Sequence, residues 1–188
     1  MEAFLVSTGI VALAEMGDKT QLLSLVLAAK FRRPVPIILG ILVATLFNHA
    51  GAGAIGAWLT AVLGTDVLRW VLGLGFLAMA VWIMIPDKLD DDDANVDTSH
   101  YGIFTTTVIA FFLAEMGDKT QIATIALAAQ YASLVWVVAG TTLGMMIANV
   151  PAVLLGDKMA HKLPLKVVHG VAAVIFAALG VLALLGVG

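Results

Sequence analysis

The sequence predicts an all-α integral membrane protein: six transmembrane helices arranged as two inverted-topology three-helix repeats. Three observations carry that prediction. Of the 188 residues, 61% are hydrophobic and the mean hydropathy is +1.04, whereas a soluble domain is about 45–50% apolar. Six stretches are long and apolar enough to cross a bilayer, which takes about 20 residues each. The string Leu-Ala-Glu-Met-Gly-Asp-Lys-Thr-Gln occurs twice, at Leu13–Gln21 and Leu113–Gln121.

The first predicted span covers residues 4–29. It is apolar at both ends and polar in the middle, where Glu15, Asp18 and Lys19 fall. The N-terminus (Met1, Glu2, Ala3) lacks the basic stretch of a cleavable signal, so this span is expected to remain in the mature protein. The second span, 36–62, carries Asn48-His49 and a stripe of small residues: Gly51, Gly53 and Gly56 among Ala50, Ala52, Ala54 and Ala57. Such a stripe lets helices pack closely. The third, 67–85, ends at Pro86. An acidic linker, 87–102, follows with Asp90–Asp93, and separates the first repeat (1–86) from the second (103–188). The fourth span, 103–129, repeats the polar centre with Glu115, Asp118 and Lys119. The fifth, 134–156, carries Asn149 and Pro151, and the sixth is 166–187. Trp58, Trp70, Trp82 and Trp136 fall near helix ends, where indoles anchor at the interface.

The halves align at an offset of 100 residues. Between 3–29 and 103–129, 13 of 27 positions are identical, Gly40 matches Gly140, and Asn48 falls close to the place of Asn149. Three helices per unit is an odd number, so the second unit must be inverted, as in many secondary transporters. Lys and Arg in the loops set orientation. Seven (Lys30, Arg32, Arg33, Lys88, Lys158, Lys162, Lys166) fall on one side against Arg69 on the other. The first side is expected to be cytoplasmic, which puts both termini outside and the acidic linker inside. With no cysteine, disulfides, thiolate sites and cysteine nucleophiles are excluded.

Charged residues inside a membrane are costly and mark function. On one continuous helix Glu15, Asp18 and Lys19 would share a face, as would Glu115, Asp118 and Lys119. On that reading Thr20, Ser24, Thr120 and Thr124 stack elsewhere. Gly17 and Gly117 would admit a neighbouring backbone or let the helix unwind. Four carboxylates and two ammoniums sum to −2, the charge that one divalent cation neutralises. In a low-dielectric setting that charge does not stay bare, so the site takes up protons and metal entry expels them. Proton–metal competition at one carboxylate set is the simplest basis for antiport. The hard oxygens on offer, with amide carbonyls of Gln21, Gln121, Asn48 and Asn149, suit Ca²⁺, Mn²⁺ or Mg²⁺. Met16 and Met116 fit apolar packing better than thioether ligation.

The blander reading makes Glu15–Lys19 an ion pair that only holds helices together, and two copies in inverted halves weigh against it. Asn48 and Asn149 either line the ion path or make interhelical hydrogen bonds. His49 is a packing histidine or a proton relay, with Val150 in place of a second histidine beside Asn149. The Asp90–Asp93 run reads as a solvated linker. His100, His161 and His169 share no ligand spacing.

Glu-Met-Gly-Asp-Lys-Thr, present twice around an acidic linker, closely resembles the Glu-x-Gly-Asp-(Lys/Arg)-(Thr/Ser) signature of one cation-transporter family. It includes Golgi Ca²⁺/Mn²⁺–proton antiporters and bacterial MneA-type manganese exporters. The resemblance covers essentially the whole chain. It implies a divalent cation–proton exchanger, not an enzyme, with Glu15, Asp18, Glu115 and Asp118 as ion ligands and no cofactor. Lys19, Thr20, Lys119 and Thr120 are implied motif partners. It favours Mn²⁺ export across a bacterial inner membrane, with protons, the cation and lipid as partners and no nucleic acid. Two other classes compete: a membrane-embedded metal-dependent lipid phosphatase and a passive divalent-cation channel. A phosphatase would need a phosphate-binding Arg or Ser cluster within the bundle, and Arg32, Arg33 and Arg69 all fall in predicted loops.

Overall fold

The computed structural model describes residues 1–85, 102–155 and 165–186, all helix and short connections. Lys88, the Asp90–Asp93 run, His100, Lys158, His161 and Lys162 lie outside the described residues. Eight helices are present among those described: α1 (Glu2–Glu15), α2 (Lys19–Phe31), α3 (Pro34–Val62), α4 (Thr65–Trp82), α5 (Ile103–Glu115), α6 (Lys119–Tyr131), α7 (Leu134–Leu155) and α8 (Leu165–Leu185).

Four of them, α3, α4, α7 and α8, are individually long and apolar enough to cross a membrane. They match the second, third, fifth and sixth predicted spans to within a few residues. The first and fourth spans differ from expectation. Each is two half-length helices, broken at the polar centre between Glu15 and Lys19 and between Glu115 and Lys119.

The connections have local causes. Arg32 and Ala132, related by the same offset of 100, both take a left-handed conformation (φ 53° and 45°) that stops α2 and α6. Pro34 then opens α3, where its missing N–H has no intrahelical partner to lose.

The halves interlock instead of packing separately. The broken pair α1–α2 runs along α7, and α5–α6 runs along α3. Gly40 of α3 seats against the Phe104 carbonyl and Thr107 of α5, and Gly140 of α7 seats against the Phe4 carbonyl and Ser7 of α1. The small-residue stripe is a packing device in part. A Cβ at Gly53 would strike Leu134 and Val138, and one at Gly56 would strike the Ile125 carbonyl, while Gly51 faces open space. Helices α4 and α8 pair at the periphery through Gly73, Gly180 and the stacked rings of Phe76 and Phe176, 6.3 Å apart.

Both apolar clusters draw on both halves. One joins Ile10, Phe76 and Met79 to Leu127 and Phe176, and the other joins Leu27, Ile37 and Ile41 to Phe111 and Val153. Outside them lie large exposed apolar side chains, among them Phe47, Trp58, Val81, Val135 and Val174. An apolar exterior of this extent is stable against lipid, not water. The chain is a multi-pass membrane protein.

Candidate metal centre at the two helix breaks

The duplicated string is a break instruction in local terms. Its first three residues end a helix at Glu15 or Glu115. The glycine follows in the left-handed region (φ 84° at Gly17, 77° at Gly117), which costs a residue with a Cβ roughly 1–2 kcal/mol. Asp18 and Asp118, both at φ −80° and ψ 168°, are the N-caps of α2 and α6. Asp118 accepts the Lys119 backbone N–H at 2.7 Å. The glutamine three residues on turns back and accepts the glycine N–H, at 2.9 Å for Gln21–Gly17 and 2.7 Å for Gln121–Gly117.

One expectation is therefore corrected. Glu15, Asp18 and Lys19 do not share one helical face, nor do Glu115, Asp118 and Lys119, because the helix that would align them is interrupted. The Oε1 atoms of Gln21 and Gln121 each accept one bond in closing the breaks, a role not expected of them, and each keeps a second lone pair. The capping signature Asp-x-x-Gln behind a glycine would have revealed both.

Thr20 and Thr120 do not stack away from the acids either. The Thr20 hydroxyl donates to Glu15 at 2.5 Å, and the Thr120 hydroxyl donates to Glu115. Each bond ties the first turn of the second half-helix to the last residue of the first.

The interlocked packing brings the two breaks together at one centre. Lys19 Nζ lies 3.4 Å from Asp118 Oδ2 of the other copy. Glu15 and Glu115 end the half-helices just before the two members of this pair. All four carboxylates are buried, with exposures from 0 to 4%. Among the described residues no three acidic or histidine side chains are gathered closely enough to hold an ion as they stand. Even so, Glu15 Oε1 and Glu115 Oε2 are buried with no hydrogen-bond partner among the described residues, and buried polar atoms are rarely left so. The donor set fits a hard dication: carboxylate oxygens with lone pairs to spare, on helix ends joined by short hinges.

Lys119 is buried and its Nζ donates to the Ile85 carbonyl at 2.8 Å. Gln21 Nε2 donates to the Ala148 carbonyl at 2.9 Å, binding α2 to α7 just before Pro151. Asn48 Nδ2 donates to the Phe112 carbonyl at 3.1 Å. Asn149 accepts from Ser24 at 2.7 Å and donates to the Met145 carbonyl at 3.1 Å. Both asparagines thus make interhelical bonds.

They are not counterparts, however. Gly40 meets residue 104 and Gly140 meets residue 4, so the offset of 100 persists through α3 and α7. That register places His49, not Asn48, opposite Asn149. His49 is buried with Nε2 4.0 Å from Glu115 Oε1. Two further residues went unnoticed as neighbours of the centre. Ser24 reaches Asn149, and His169 of α8 makes a 2.6 Å contact with the Met16 carbonyl at the first break. Nothing in the local sequence around His169 announces that contact, which depends on where α8 packs.

Comparison with known proteins identifies the family. A model of the divalent cation/proton antiporter GDT1 family matches residues 3–91 and again 103–187. A protein of Vibrio cholerae serotype O1 named "Putative manganese exporter" is 54% identical over 177 residues, covering 94% of this chain and 87% of that protein. The "GDT1-like protein 3" of Oryza sativa, in both indica and japonica, is 27% identical over 200 residues, covering 93% of this chain and 71% of the rice protein. No solved structure matches the chain. With both halves matched, each including a break that carries the duplicated acids, the chain belongs to the GDT1 family of divalent cation/proton antiporters.

Proposed function

We propose that the protein exports Mn²⁺, with Ca²⁺ as the nearest alternative cargo, in exchange for protons. Glu15, Asp18, Glu115 and Asp118 would bind the ion. The 3.4 Å pairing of Lys19 with Asp118 carries this reading, because it joins acids of two separate helix breaks into one buried cluster. Manganese is favoured by the name of the Vibrio cholerae relative, and the carboxylate oxygens suit Mn²⁺ and Ca²⁺ alike.

The cycle follows from charge balance. With all groups ionised the four acids and two lysines sum to −2. A buried group of that charge is stable with a dication or with protons, and unstable with neither. Mn²⁺ enters from the cytoplasm and displaces protons. Binding draws Glu15 and Glu115 away from Thr20 and Thr120 and competes with Lys19 for Asp118. The half-helices then tilt at Gly17 and Gly117, the site opens outward, and protons from outside release the ion. Lys19, returning to Asp118, opposes rebinding.

The same proposal includes topology. The pairs α1–α2 and α5–α6 each cross once as a broken helix, giving six crossings in two inverted repeats, 1–86 and 103–188, joined by the linker 87–102. Both termini lie outside and the linker lies in the cytoplasm of a bacterial cell, with the protein in its inner membrane. The matched pairing of α1–α2 with α7 and of α5–α6 with α3 supports the inversion.

Purified protein in proteoliposomes tests the function. An imposed pH gradient should drive Mn²⁺ movement with counterflow of protons. Glu15→Gln and Glu115→Gln should each reduce flux to background while leaving the protein folded and inserted. Full flux in either variant rejects a site shared between the copies.

A further inference from the structure

We propose that His49 is a nitrogen ligand of the transported ion and sets preference for a transition-metal dication over Ca²⁺. The inference rests on the carboxylate cluster being the ion site.

His49 is 0% exposed, and among the described residues neither ring nitrogen has a hydrogen-bond partner. A buried imidazole with both nitrogens unpaired is a costly arrangement that calls for a partner outside the protein. Its Nε2 points at the cluster, 4.0 Å from Glu115 Oε1. That is too long for a hydrogen bond. It suits two donors on one cation, since metal–ligand bonds of about 2.0–2.6 Å reach from both sides.

The repeat-related position shows that the open valence is particular to this place. Asn149 of α7 has its oxygen satisfied by Ser24 and its amide by the Met145 carbonyl. The residue at Ser24's position in the other repeat is Thr124, and its hydroxyl donates instead to the Thr120 carbonyl at 2.8 Å. The hydroxyl that completes the asparagine in one half is turned away from the histidine in the other. Asn48, one residue earlier, holds α3 to the Phe112 carbonyl just before Glu115 and so fixes the face that carries His49.

The chemistry follows from the donor atom. Ca²⁺ is bound by oxygen, whereas first-row transition ions accept imidazole readily. One neutral nitrogen among carboxylates leaves the charge balance untouched and changes which dication is held best.

Two measurements test this. Mn²⁺ bound to the unaltered protein in detergent should show nitrogen hyperfine coupling in pulsed electron paramagnetic resonance. His49→Asn, which makes the two repeats alike, should abolish that coupling. In proteoliposomes the same variant should raise the KM for Mn²⁺ by about tenfold or more while leaving Ca²⁺ exchange largely intact. Absence of nitrogen coupling in the unaltered protein overturns the proposal even if His49→Asn does not fold. So does an unchanged Mn²⁺-to-Ca²⁺ ratio in a folded variant. Glu115→Gln keeps the two readings apart: it should lose both ions, and retained transport there would reject the carboxylate site itself.

Discussion

The two copies of the nine-residue string have the same backbone and different surroundings. At both, the glycine is left-handed, the aspartate caps the next helix with the same φ and ψ, and the glutamine closes the break. Beyond that they part. Gly17 lies beneath Leu165, and the Met16 carbonyl is held by His169, both from α8. Among the described residues nothing lies within 4 Å of a Cβ at Gly117, and Met116 is 56% exposed. The lysines differ as well: Lys19 is 21% exposed and pairs with Asp118, and Lys119 is buried on the Ile85 carbonyl. Identical residues thus give the same break in both copies but not the same surroundings.

Substituting the hinge glycines should separate the copies most. Gly117→Ala suffers only the left-handed penalty of about 1–2 kcal/mol. Gly17→Ala adds a methyl 2.7 Å from Leu165, and overpacking costs about 1–3 kcal/mol more. Unfolding in mixed micelles should rank Gly17→Ala clearly below Gly117→Ala. Equal losses would mean that α8 does not cover the first hinge.

The glutamines should differ less. Gln21 makes two bonds in a buried setting, and Gln121 closes its break at an exposed one. Gln21→Leu should cost about 1–3 kcal/mol and Gln121→Leu less than about 1, since water can replace the exposed partner. The same unfolding assay reads both.

His169→Ala should cost about 0.5–1.5 kcal/mol for one hydrogen bond. Its informative readout is hydrogen exchange. Amides of residues 16–20 should lose protection, and those of 116–120 should not. Matching loss in both hinges would contradict a contact made by α8 to one copy alone.

Part of the candidate site was legible in the sequence. Charged residues in hydrocarbon have few uses, so two acidic strings in apolar segments singled out Glu15, Asp18, Glu115 and Asp118 as candidates, and all four are buried at the helix breaks. Continuous helices through those strings were a misreading of period: hydropathy registers that a segment is apolar, and the glycine and capping pattern that interrupts it spans only a few residues. Thr20 and Thr120 were misplaced for the same reason, since their reach to Glu15 and Glu115 exists only across a break. The pairing of Asn48 with Asn149 failed because likeness of residue type was followed in place of register, which Gly40 and Gly140 set by contact.

Composition and the repeated string are local quantities, and they sufficed for the membrane environment and the duplication. Which acid meets which lysine, why His49 is left unpaired while Asn149 is not, and which hinge is covered all depend on groups far apart in the chain. Those contacts arise from the packing of α1–α2 on α7, α5–α6 on α3 and α8 over Gly17. Packing between distant segments is decided by shape and burial in three dimensions, and a nine-residue string present twice cannot carry two different answers to it.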